Sequence, residues 1–151
     1  MSTKWLTAAE QAAWRAFITT MPDLTAAMEA DLAPHALSMG DYEVLVFLSE
    51  ADDNRMRMCD LASALRLSPS GLTRRLDGMV KMGWVDRASC ANDRRVMYAH
   101  LTPTGRAKME AAAPDHVASV RRHVIEPLGA DGVRQLGDLF QLIRDRLLQP
   151  V

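Results

Sequence analysis

Three runs decide the fold: Cys59-Asp-Leu-Ala-Ser-Ala-Leu65, then Arg66-Leu-Ser-Pro-Ser-Gly-Leu-Thr-Arg-Arg-Leu76, then the polar loop Ser89-Cys-Ala-Asn-Asp-Arg-Arg95. The first is a short helical pattern. In the second, Ser68 is an N-cap and Pro69 stands at the first helical position, where its missing N–H costs nothing. Leu72, Leu76, Met79 and Val80 then line one helix face, while Ser70, Thr73, Arg74, Asp77 and Lys81 line the opposite one. Gly83 is a C-terminal stop. The loop is bracketed by the strand-like runs Trp84-Val-Asp-Arg87 and Val96-Met-Tyr-Ala-His-Leu101. Two helices joined by a tight turn and followed by a basic hairpin form the pattern of a winged helix-turn-helix, which sets its second helix in the DNA major groove.

Charge supports that reading once it is mapped. The chain of 151 residues has a formal net charge of -1, which is unpromising for a phosphate ligand. Residues 66–95, however, hold seven cations against three carboxylates, a local +4 that leaves -5 for the rest. Phosphate attraction depends on the field within a Debye length of about 8–10 Å, so a basic patch suffices.

Outward from this region, Ser38 caps a helix whose run Tyr42-Glu-Val-Leu-Val-Phe-Leu48 is apolar almost all round, marking a buried central element. Asp52-Asp-Asn-Arg55 reads as a polar loop, and Arg57 to Met58 as a brief strand before the Cys59 helix. Thr7 and Glu10 fit a capping box. The helix that they start carries Trp14, Phe17, Ile18, Met21, Leu24, Met28 and Leu32 at helical spacing, with Pro22 expected to kink or break it and Pro34 to end it. Thr102-Pro103 begins a helix predicted to reach about Val124, with a kink at Pro114. A last helix carries Val133, Leu136, Leu139, Phe140, Ile143 and Leu147 along one stripe.

The length accommodates one compact domain, and 48% apolar with 25% charged residues is a globular balance rather than a disordered one. No apolar run approaches the roughly 20 residues that span a bilayer, and Met1-Ser-Thr-Lys-Trp5 lacks the apolar core of a signal peptide. A cytoplasmic protein without membrane partners is expected. Ser-His-Asp order, a Gly-rich phosphate loop and paired carboxylates are all missing, so the chain does not read as an enzyme. Four scattered histidines and two cysteines have no ligand spacing, so neither a metal nor another cofactor is expected.

The sequence resembles the MarR family of transcriptional regulators. The residues that carry the resemblance are the wing loop Asn92-Asp93-Arg94-Arg95 and the exit Leu101-Thr-Pro-Thr-Gly-Arg106, similar to that family's Asp-x-Arg wing and Leu-Thr-x-x-Gly ending. Asp41-Tyr-Glu-Val-Leu-Val-Phe-Leu-Ser-Glu50 and the region from Leu61 to Gly83 agree with it. The resemblance implies a mainly α fold with a β-hairpin wing, the winged helix-turn-helix at about 38–101 within a single domain of 1–151, and dimerisation helices at about 7–33 and 103–148. It also implies a homodimer on a pseudo-palindromic double-stranded DNA operator, usually a repressor, released by a small-molecule effector or an oxidant.

The expected DNA contacts are Ser68, Ser70, Thr73, Arg74 and Arg75, since Arg can bond guanine through two hydrogen bonds and Ser or Thr can reach a base or phosphate. At the wing tip Arg94 and Arg95 suit a narrow minor groove. By resemblance, Asp93 braces the wing by pairing with an arginine. The terminal helices are too apolar for a lone winged helix to cover, so Trp5, Trp14, Leu136, Leu139, Phe140, Ile143 and Leu147 are expected to meet a second copy. Trp14, Phe17, His35 and Tyr42 are candidates for an effector pocket, set against the plainer reading of core or interface residues. Two rivals remain: a winged helix that binds protein instead of DNA, and a redox switch at Cys59 or Cys90.

Overall fold

The computed structural model describes residues 3–90 and 93–149, in which six α-helices and one small sheet form. Chain order is α1 (Ala8–Leu32), α2 (Met39–Glu50), β1 (Arg55–Arg57), α3 (Met58–Ala64), α4 (Pro69–Lys81), β2 (Val85–Ser89), β3 (Met97–Leu101), α5 (Pro103–Val120) and α6 (Glu126–Leu148). The residues fall into two compact units. One is helical, Met1–Met28 with His116–Val151; the other is the winged helix, Glu29–Asp115. The winged unit is wider than the 38–101 expected from sequence because Leu32, Leu37 and Ala112 all sit in its core.

That core is built from Leu32, Val44, Leu45, Leu48, Leu61, Leu72, Leu76, Met79 and Val85, all fully or almost fully buried. Each such side chain contributes roughly 1.5–3 kcal/mol by leaving water. The helix starts are set by local chemistry. Asp41 N–H donates to Ser38 Oγ at 3.0 Å and Ser38 N–H donates back to Asp41 Oδ2 at 3.4 Å, closing a capping box. Gly71 N–H donates to Ser68 Oγ at 3.1 Å, ahead of Pro69 in the first turn of α4. Tyr42 is buried in the core, and burial raises its phenol above its ordinary pKa.

Helices α3 and α4 end alike but with different residues. After α4, Gly83 takes φ +72°, with Gly83 N–H bonded to Val80 O and Trp84 N–H to Met79 O. After α3, Arg66 takes φ +57°, with Arg66 N–H bonded to Ser63 O and Leu67 N–H to Ala62 O. Both are the paired-bond helix ending that favours glycine. The tight turn between α3 and α4 therefore carries an arginine in a left-handed conformation that costs an L-residue about 1 kcal/mol or more.

The expected hairpin forms, β2 pairing antiparallel with β3, and β1 adds a third strand on the other side of β3. The sheet has three antiparallel strands in the order β1-β3-β2, with Arg55 opposite His100, Arg57 opposite Tyr98 and Val85 opposite Leu101. The first strand is Arg55–Arg57 rather than Arg57 to Met58, and Met58 already belongs to α3. Residues 52–54 form a short 3-10 turn instead of open loop.

Prolines within helices were expected to interrupt them, and two do not. Helix α1 runs unbroken through Pro22, and α5 runs unbroken through Pro114. A proline removes one hydrogen bond and crowds one carbonyl, a local penalty that the remaining hydrogen bonds of a long helix can absorb. Thr19 and Thr25 hydroxyls on either side of Pro22 donate to the Arg15 and Met21 carbonyls. Pro34 does follow the end of α1, inside the 3-10 turn Ala33–His35. Helix α5 stops at Val120, short of Val124, and passes directly into a widened π turn, Arg121–Ile125. The widening relieves the carbonyl that Pro127 would otherwise crowd. The non-helical residue of this C-terminal segment is Gly129, φ +63°, not Pro114.

In the helical unit, Thr7 N–H donates to Glu10 Oε2 at 2.7 Å and Glu10 N–H to Thr7 Oγ1 at 3.3 Å, closing the second capping box. Hydrogen bonding to its carboxyl from the Thr7 backbone, and then from the Thr7 side chain, holds Glu10 below its ordinary pKa. Phe17 stacks between Trp14 and Phe140, with centroids 5.9 and 5.7 Å away. Among the described residues no helix is long and apolar enough to cross a membrane.

Candidate nucleic-acid interface

The exit from the wing explains why Leu-Thr-x-x-Gly is a fixed spacing. Thr102 Oγ1 lies 2.6 Å from the Gly83 carbonyl and 3.0 Å from that of Trp84, and accepts from Gly105 N–H at 2.9 Å. Gly105 packs so closely on Trp84 that a Cβ there would stand 2.0 Å from the Trp84 carbonyl oxygen. One threonine and one glycine thus clamp the start of α5 onto the turn that leaves α4. Arg106 adds a hydrogen bond to Asn54, which precedes β1. The wing therefore hangs from a rigid base.

On α4 the predicted outward face is outward. Ser68, Ser70, Thr73 and Arg74 are exposed, with Leu72, Leu76 and Met79 buried beneath. Ser68 caps the helix and its Oγ lies 3.2 Å from that of Ser70, so the two hydroxyls form one polar tip. Thr73 Oγ1 donates to the Pro69 carbonyl at 2.9 Å.

Arg75 is placed differently from its neighbour. Its guanidinium lies over Gly40, where a Cβ would overlap it, and 3.9 Å from Asp41 Oδ1. It is a brace between α4 and α2 rather than part of the outward face. Arg87 is also engaged, donating to Asp77 Oδ1 at 2.6 Å. The basic patch is thereby thinned to side chains that keep their charge free. Among the described residues Arg66, Arg74, Lys81, Arg94 and Arg95 are exposed and make no ion pair.

In the wing, Asp93 does brace the loop, but through the backbone. Its Oδ1 accepts from Arg95 N–H at 3.0 Å, and its carbonyl accepts from Val96 N–H at 3.0 Å. Among the described residues no arginine side chain pairs with it, which corrects the ion-pair expectation. The reason is local: an aspartate reaches the amide two residues on more readily than a guanidinium that points to solvent. Asn92, part of the same loop, lies outside the described residues.

Between α4 and the wing runs a groove of about 400 Å³, lined by Pro69, Leu72 and Thr73 on the helix side and Arg95, Val96 and Met97 on the wing side. Arg57, Met58 and Cys59 complete the lining. Arg57 escaped the sequence reading because the charge count began at Arg66. Its Nε donates to Tyr98 Oη at 3.4 Å, and that bond raises its already high pKa further. Cys59 is exposed, with its Sγ 3.5 Å from Asp60 Oδ1, and Cys90 is half-buried.

The remaining candidates divide between the units. In the winged unit His35 Nε2 lies 2.6 Å from Asp115 Oδ2, and Tyr42 is in the core. In the helical unit Trp14 and Phe17 are exposed apolar side chains, as are Trp5, 83% exposed, and Leu147, 78% exposed. Leu139, Phe140 and Ile143 are exposed with them, and Leu136 is half-buried. Phe17, Met21, Leu24, Leu128, Leu136 and Phe140 line an apolar cavity of about 920 Å³ there.

An outward polar helix beside an arginine-tipped wing, on a three-stranded base, defines the class of winged helix-turn-helix regulators. The model of the MarR family matches residues 37–97. The chain is 31% identical over 117 residues to the HTH-type transcriptional repressor YetL of Bacillus subtilis (strain 168), covering 76% of this chain and 70% of that one. It is similar to the solved structure of AbsC, a MarR family transcriptional regulator from Streptomyces coelicolor, with TM-score 0.91 and 43% identity over 96% of this chain and 98% of that one. A second S. coelicolor member, Sco3205, was solved in complex with DNA; the match has TM-score 0.92 and 32% identity over 98% of this chain and 93% of that one. The chain belongs to the MarR family of transcriptional regulators, a family that is not enzymatic.

Proposed function

We propose that the chain is a homodimeric, sequence-specific DNA-binding repressor of the cytoplasm, released from its operator by a small-molecule effector. The observation that carries the DNA reading is the exposure, on one unit, of Ser70, Thr73 and Arg74 on α4 and of Arg94 and Arg95 on the wing. A protein-binding winged helix needs no such set of free guanidiniums. The DNA complex of Sco3205 and the repressor name of YetL support the same reading.

Ser68 and the exposed α4 side chains are assigned to the major groove, and Arg94 and Arg95, ordered by Asp93, to the adjacent minor groove. Arg75 is assigned to positioning. The exposed apolar surface of the helical unit, from Trp5 and Trp14 to Leu136, Leu139, Phe140, Ile143 and Leu147, is assigned to a second copy of the chain. So much exposed Leu, Ile, Phe and Trp on one unit is what a partner covers. The helices at about 7–33 and 103–148 are assigned to dimerisation and the winged helix-turn-helix at about 38–101 to DNA, so that a second copy supplies the second reading head. Trp14 and Phe17 in the helical unit and His35 and Tyr42 in the winged unit are the candidate effector contacts, and the effector acts by binding more tightly to a dimer whose recognition helices are wrongly spaced.

Recovery of genomic DNA fragments by the purified protein tests the reading. Enrichment of a shared two-fold-symmetric sequence is the expected outcome, and recovery without any common sequence contradicts it.

A further inference from the structure

On a duplex, a helix in the major groove and a wing in the neighbouring minor groove are separated by one sugar–phosphate strand. The space on this protein that matches that strand is the groove between α4 and the wing, with Pro69 and Thr73 on one wall and Arg95 on the other. Arg57 and Cys59 lie where β1 passes into α3 and complete the lining. Arg57 is exposed, but it is not loose. Tyr98 stands opposite it in the β1–β3 register and takes its Nε, which leaves both Nη groups for a ligand. The Tyr98 ring is in turn covered by the Arg55 guanidinium, 5.2 Å from its centroid.

We propose that this groove is a phosphodiester site, in which Arg57 holds the DNA strand that passes between the recognition helix and the wing. The inference rests on the DNA-binding reading of the same face and adds a residue that the helix and wing do not supply. Two cations, Arg57 and Arg95, line one groove that is continuous through Thr73 with the exposed face of α4, and their charge suits a polyanion. The contact is to backbone, so it strengthens binding to every sequence and orients the reading helix without choosing bases.

The test uses the full chain and a recovered operator duplex, with wild-type binding as the reference. Arg57→Ala should weaken binding about tenfold on the operator and on scrambled DNA alike. It should also lower the slope of log affinity against log salt by about one, with Arg57→Lys recovering part of the loss. Single methylphosphonates walked along each strand should reveal one position per half-site that penalises wild type and leaves Arg57→Ala unaffected. In Cys90→Ser protein, operator DNA should slow maleimide labelling of Cys59. Wild-type affinity and salt slope in Arg57→Ala, identical methylphosphonate profiles, or unprotected Cys59 would overturn the site while DNA binding stands. A wild-type protein that binds no recovered DNA overturns the underlying reading instead.

Discussion

The guanidinium of Arg75 crosses the bare α-carbon of Gly40 and ends 3.9 Å from Asp41, whose other carboxylate oxygen closes the cap of α2. One carboxylate therefore ties the start of α2 to the middle of α4. A partly exposed pair of this kind is worth about 0.5–1 kcal/mol. Arg75→Ala should lower the urea midpoint by that modest amount and leave the ratio of operator to scrambled-DNA affinity unchanged. Unaltered stability with a lost ratio would place Arg75 on a base.

Arg74, one residue earlier, faces solvent, and its substitution should behave in the opposite way. Arg74→Ala is expected to leave stability unchanged and to cost about 1–3 kcal/mol on the operator if its bond to a guanine is bidentate. Equal losses on operator and scrambled DNA would assign it to phosphate. Arg95→Ala should instead weaken both and reduce the salt slope by about one.

Arg66 occupies a left-handed position that its counterpart after α4 fills with Gly83. Arg66→Gly should relieve the strain and raise stability by about 0.5–1 kcal/mol, readable as a higher Tm. A strained non-glycine residue beside a recognition helix is consistent with a side chain retained for its charge. The same variant should therefore bind DNA less tightly. Higher stability with unchanged binding would leave the arginine without a role at that turn.

Two glycines make opposite stability predictions. Gly105→Ala drives a methyl into the Trp84 backbone carbonyl, so the α5 start must move, at a cost of about 1–3 kcal/mol. Gly78 lies on the open face of α4 with nothing within 4 Å of an added Cβ. Gly78→Ala should stabilise by about 0.5–1 kcal/mol. Denaturation of both variants beside wild type checks the contrast, and equal effects would contradict the packing described for Gly105.

Local chemistry was the readable part of this sequence. Thr7 with Glu10, Ser38 with Asp41 and Ser68 with Pro69 each act within three residues, so the caps could be read without the fold. Long-range partners could not. Strand β1 is three residues long and is held by pairing with β3 more than forty residues away, a contact that spacing does not encode. Helical periodicity put Leu72, Leu76 and Met79 inward and Arg74 outward, but Arg75 lies between the faces, and Gly40 settles its direction. Pro22 and Pro114 do not break α1 and α5 because proline's penalty is local while the backbone hydrogen bonds run the length of the helix. Gly129, with its positive φ, marks the real departure from helix.

Every functional step above relies on two copies of the chain, and sedimentation tests that most directly. Leu139 is 58% exposed on the isolated chain, and Phe140, beside it, is exposed and stacked on Phe17. Leu139→Glu or Phe140→Glu would bury an unpaired charge at the assigned interface, at a cost of several kcal/mol. Sedimentation velocity of wild-type protein at micromolar concentration, alone and with a recovered operator duplex, should give a dimer and then two chains on each duplex. The glutamate variants should give monomer or aggregate without tight operator binding. A wild-type monomer that binds a palindromic operator tightly as a single chain would contradict the account.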